Sequence, residues 1–108
     1  MAEPLPNKIQ NQIADAELPT DGKTPFKPKL VKNKAGKTII DKKEVAKGPR
    51  RGKRGYVDEE GRIWVRDYEH AGYPDHWDVQ ISGGEDYIRV GLDGNEVLPN
   101  PPQKEEID

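Results

Sequence analysis

Past residue 55 the apolar positions gather into short runs of β-branched and aromatic residues: "RIWVR", "HWDVQI", "DYIRVGL" and "NEVL". The segments "DEEG", "AGYPD", "SGGE" and "LDG" bound them as turns. Runs rich in β-branched and aromatic residues between such turn signals predict an antiparallel meander of about four strands. In the first run Ile63 and Val65 share one face, and Arg62, Trp64 and Arg66 share the other. In the second, Trp77, Val79 and Ile81 oppose His76, Asp78 and Gln80, which sets an oily face against an ionisable one. The core then falls to Ile63, Val65, Trp77, Val79, Ile81, Ile88, Val90, Leu92 and Val97. Prolines 99, 101 and 102 stop the closing "LPNPPQKEEID" from extending the sheet.

The pattern upstream is different. In residues 1–22 the helical signal is "NKIQNQIADAEL", with Ile9, Ile13 and Ala16 at helix spacing and Pro19 as a stop. Residues 23–54 space lysines between prolines and glycines, which is linker composition, with a short strand expected over 37–40. Three parts follow: a linker with a short helix over 1–22, a basic flexible arm over 23–54, and an antiparallel β domain over 55–108 with a proline-rich acidic tail. The fold class expected is mainly β, a small twisted sheet preceded by an extended, largely disordered basic arm.

Composition supports one small core at most. Of the 108 residues 31% are apolar and 35% charged, and the mean hydropathy is −1.04. The formal charge of −2 conceals a segregation. Residues 1–22 carry one Lys against four acids, 23–54 carry thirteen Lys or Arg against two, and 55–108 carry four against fourteen. The balances are −3, +11 and −10, so a basic arm precedes an acidic domain. The absence of cysteine excludes a disulfide framework and a thiolate zinc site. No apolar run approaches the roughly 20 residues that cross a bilayer, and "MAEPLPNKIQNQ" lacks signal-peptide character. No membrane insertion and a monomer are expected of this segment.

Both histidines of the chain, His70 and His76, fall in "IWVRDYEHAGYPDHWDVQ" with both tryptophans. Asp67, Glu69 and His70 follow the strand "RIWVR", and His76 opens the next strand after Asp75. Residues that flank one hairpin loop lie within reach of each other, so Asp67, His70, Asp75 and His76 are expected to converge. An imidazole beside a carboxylate exchanges protons at neutral pH, as cleavage of an RNA chain requires. One group takes the ribose 2′-hydroxyl proton, another protonates the departing 5′-oxygen, and a cation steadies the phosphorane, all without a cofactor. Trp64 suits sheet packing, and on the arginine-bearing face it also offers a base-stacking surface. Asp78, Glu85 and Asp86 read as solubilising charge.

The order of these features resembles the cytotoxic ribonuclease domain of the ribosome-cleaving colicins and cloacin, and related polymorphic toxin tips. The likeness covers about half the chain, residues 48–104. It consists of the basic run "GPRRGKRG", a strand ending in Asp-x-x-His ("DYEH"), an immediate turn, the strand "HWDVQ", a short strand before "LDGN", and a proline-rich end. The resemblance implies a small twisted antiparallel sheet that cuts small-subunit ribosomal RNA, with Asp67 and His70 in the site. The place of the family's Glu falls to His76, with Asp75 beside it, and a late basic residue corresponds to Lys104. It further implies a cognate immunity protein, a longer parent polypeptide, and delivery to the cytoplasm of a target cell.

The acidic domain departs from the cationic family pattern, so phosphate attraction is expected from the arm, including Arg54, and from Arg62, Arg66 and Arg89. Two other classes stand beside this one. A metal-dependent nuclease would use Asp67, Glu69, His70, Asp75, His76 and Asp78 as oxygen and nitrogen ligands, although "HAGYPDH" matches no strong metal motif. A non-enzymatic module would dock its basic tether on nucleic acid or on a protein.

Overall fold

The computed structural model describes residues 5–68, 74–81 and 86–97. Among them the chain forms helix α1 (Asn7–Asp15) and strands β1 (Leu30–Lys32), β2 (Thr38–Ile40), β3 (Lys42–Glu44), β4 (Arg54–Val57), β5 (Ile63–Asp67), β6 (His76–Ile81) and β7 (Asp86–Gly91). Strands β3 to β7 lie in chain order in one antiparallel sheet, and β1 pairs with β2 in a second. The mainly-β, antiparallel architecture expected from the alternation is the one observed, with five strands in the larger sheet.

The flexible arm expected over 23–54 is instead built into this architecture. It supplies β1, β2 and β3, and it buries Phe26, Ile40 and Val45. Its lysine-rich average obscures these few apolar positions. Each contributes on the order of 1.5–3 kcal/mol once covered, while the lysines between them stay in solvent. Strand β3 is an edge, and its exposed Lys42, Lys43 and Glu44 discourage pairing with another chain.

Both faces of the larger sheet are covered. On one face Trp64, Trp77, Val79 and Val90 pack with Ile9 and Ile13 of α1 and with Leu18, Phe26 and Ile40. Phe26 meets the Trp64 ring edge-on at 5.3 Å, a favoured aromatic geometry. Helix α1 ends where Glu17 takes a left-handed φ of 62°, with Leu18 N–H donating to the Ile13 carbonyl. That turn aims the Glu17 carbonyl at Trp77, whose Nε1 donates to it at 3.1 Å. The other face carries a smaller cluster of Val45, Val57, Ile63 and Val65. Gly55 allows β4 to close on β5, since a Cβ there would collide with the Trp64 carbonyl.

The expected core is corrected at several positions. Trp64 is buried on the helix-covered face, Leu92 is exposed, Ile81 and Val97 are half-buried outside both clusters, and Ile63 and Val65 lie on the face opposite Trp77 and Val79. The sheet buries two faces because α1 and the β3–β4 connection supply the second and third layers, which alternation within single strands does not report.

Candidate functional site

The site begins with the register between β5 and β6. Asp67 faces His76, Val65 faces Asp78, and Ile63 faces Gln80; on β7, Arg89 faces Asp78 and Tyr87 faces Gln80. Alternation places all of these except the intervening residues on one side of the sheet, next to the Val45 cluster. The connection after β3 folds over this side. Val45 N–H donates to the Lys53 carbonyl and Gly52 N–H donates to the Val45 carbonyl, which closes a loop around Arg50.

Arg50 is the clasp. Its Nε donates to Asp78 Oδ2 at 2.6 Å and its Nη2 to Asp67 Oδ2 at 2.7 Å. Burial opposes the Arg50 charge, but the hydrogen bond and charge of Asp78, with Asp67 and Tyr87, outweigh it and hold the guanidinium above the ordinary arginine range. Arg89 Nε stands 3.6 Å from Asp78 Oδ1. Two carboxylates are thus met by two guanidiniums.

His76 sits inside this frame with no exposed surface, as does Asp78, while the Asp67 side chain is 20% exposed. Its Nδ1 lies 2.7 Å from the Pro74 carbonyl. A carbonyl oxygen only accepts, so Nδ1 carries a proton there. This directs Nε2 at Asp78 Oδ1, 3.2 Å away, and at Asp67 Oδ2, 3.4 Å away. The arrangement sets the imidazole beside a part-exposed carboxylate, and it makes His76 a covered support rather than a surface reagent.

Asp67, His76 and Asp78 offer potential metal-ligand atoms within 4.8 Å of one another. The charge balance does not favour a divalent cation. An ion at that point would compete with Arg50 for Oδ2 of both carboxylates and would repel Arg89. Arg50 already occupies Oδ2 of both carboxylates.

Of Asp67, His70, Asp75 and His76, which were expected to converge, His70 lies outside the described residues and the other three converge only in part. Asp67 and His76 meet; Asp75 turns to Arg66, whose Nη2 donates to it at 3.1 Å while Nη1 donates to Glu17 at 2.8 Å. Burial opposes the Arg66 charge, and these two hydrogen-bonded carboxylates raise its pKa nonetheless. Arg66 also stacks on Trp77, which puts it on the helix-covered face, away from His76. Trp64 is fully buried with Nε1 donating to Asp58, which leaves no ring face for a base. Arg62 pairs with the same Asp58 at 2.7 Å, at the far end of β5 from Asp67. Arg54 lines a cleft of about 510 Å³ with Gln12, Asp15, Lys42 and Tyr56, on the α1 side of the sheet. Arg89 alone of the expected arginines joins the cluster. Glu69, His70 and Lys104 lie outside the described residues.

Two members were missed and one was misjudged. Asp78, read as solubilising charge and otherwise only as a candidate metal ligand, is wholly buried; the alternation in "HWDVQI" had placed it beside His76 on the ionisable face. Arg50 belongs to the basic run "GPRRGKRG", but no local pattern separates it from Arg51. Tyr87 shares a strand face with Arg89 through spacing of two. Comparison with protein-family models, curated proteins and solved structures finds no match for this chain. Among the described residues, no helix is long and apolar enough to cross a membrane.

Proposed function

We propose that the chain is the ribonuclease tip of a delivered bacterial toxin, which cuts RNA, with ribosomal RNA as the preferred target, by transesterification. The observation that carries this reading is the cross-strand pair Asp67–His76, held with Asp78 under two guanidiniums. Asp67 takes the proton of a ribose 2′-hydroxyl, with His76 behind it to share the charge. The 2′-oxygen attacks phosphorus, the bond to the 5′-oxygen breaks, and a 2′,3′-cyclic phosphate remains. In this reading His70, the second member of the Asp-x-x-His sequence, protonates the leaving oxygen. A guanidinium steadies the charge that grows on the phosphorane. A toxin of this kind requires an inhibitor protein in the producing cell that covers the site.

The test is induced expression in a bacterium of wild type, Asp67→Asn and His70→Ala, with total RNA resolved on a gel, and purified protein assayed with and without EDTA. Wild type yields a discrete small-subunit fragment, both variants lose it, and EDTA leaves cleavage intact. Intact RNA in cells expressing wild type overturns the reading, and loss of cleavage on chelation replaces it with the metal-dependent one.

A further inference from the structure

We infer that Arg50, Tyr87 and Arg89 form a platform that receives one unpaired nucleotide of the RNA strand, beside the Asp67–His76 pair; the inference rests on the reading of that pair as an RNA-cleaving site. The Tyr87 ring lies under two cations, with the Arg89 guanidinium carbon 5.3 Å and the Arg50 guanidinium carbon 6.0 Å from its centre. Arg89 Nη2 donates to the Tyr87 hydroxyl at 3.1 Å, which joins ring and guanidinium into one unit. Asp78 holds both arginines from below, and each guanidinium side chain is 25% exposed. The planar groups are thus fixed in place before any ligand arrives and remain open to solvent.

Charge pairing explains why both arginines lie beside Asp67 and Asp78, but it does not require the half-buried Tyr87 ring that both guanidiniums overlie. Bases of single strands stack on aromatic rings and on guanidinium planes, and their phosphates take the remaining N–H donors. Two strands and a four-residue offset in register separate Tyr87 on β7 from Asp67 on β5, about 16 Å between their backbones. Arg50 spans that gap, 2.7 Å from Asp67 Oδ2 and 6.0 Å from the Tyr87 ring centre, so a strand running along Arg50 places a neighbouring base on the platform while its ribose meets Asp67. Paired bases cannot splay onto it. The platform therefore selects single-stranded RNA over duplex.

The probe is a fluorescein-labelled RNA 12-mer with 2′-O-methyl riboses, which removes the attacking hydroxyl, measured by anisotropy as single strand and as duplex. Wild type binds the single strand more tightly than the duplex. Tyr87→Leu weakens single-strand binding by roughly 5- to 150-fold, the range of one lost base stack, and leaves duplex binding unchanged. Tyr87→Phe retains binding, while Arg50→Lys, which keeps the charge and loses the plane, weakens it. Near-ultraviolet circular dichroism of Trp64 and Trp77 checks that each variant is folded. A wild type that cleaves RNA but binds both forms equally, with Tyr87→Leu indistinguishable from it, overturns the platform and spares the ribonuclease reading. A wild type that neither cleaves nor binds overturns both.

Discussion

Arg50→Ala removes a side chain that hydrogen-bonds the carboxylates of β5 and β6 at once, and its cost follows from the geometry. A hydrogen bond to a charged group contributes about 1.5–3 kcal/mol. The bond to Asp78 counts nearly in full, because that carboxylate has no exposed surface. The bond to Asp67 is discounted to below about 1 kcal/mol, since both side chains reach solvent and water screens them. Arg89, at 3.6 Å, retains part of the compensation for Asp78. The expected loss is about 2–4 kcal/mol, or a fall in melting temperature on the order of 10–20 °C for a domain of this size. Urea unfolding followed by the fluorescence of the two buried tryptophans measures it. Arg51→Ala, at the exposed neighbouring position, is the control and is expected to change stability by less than about 0.5 kcal/mol. Equal effects of the two substitutions would refute the clasp, and a double-mutant cycle of Arg50 with Asp78 showing no coupling would refute the specific pair.

Asp58 is a second buried carboxylate, accepting from the amides of Glu60 and Arg62, from Arg62 Nε and from Trp64 Nε1. Asp58→Ala strands several donors at the β4–β5 turn and is expected to cost about 3–5 kcal/mol, read by the same unfolding assay. Gly55→Ala drives a methyl group into the Trp64 carbonyl and is expected to cost about 1–3 kcal/mol; a gain in stability there would mean that β4 does not lie so close to β5. The Asn95 amide holds the Asp93 carboxyl below its ordinary value of 3.8, with the Asn95 side chain adding to the effect. Its contribution is present above that ordinary value and is lost as the pH falls through the lowered one. Asp93→Ala should therefore narrow the gap to wild type as acid unfolding is followed below pH 4; a gap that widens in acid would reverse the assignment.

Period-two alternation and turn signals were enough to place β5, β6 and β7, because strand direction and side-chain face are local properties of the backbone. The spacing of Ile9 and Ile13 marked α1 in the same way, and the 37–40 segment marked β2. The sequence also put His76 and Asp78 on one face. Local pattern did not reveal that this face would be buried, since that depended on Arg50 arriving from 17 residues before Asp67 and 28 before Asp78. Nor did it reveal that the lysine-rich segment would fold, because three apolar residues in 23–54 gain their burial energy only from Tyr56, Trp64 and Val57 on other strands. A chain's own alternation determines which residues share a side of the sheet. Whether that side meets water or a guanidinium is decided by long-range contacts, whose free energy exists only when the distant segments are brought together.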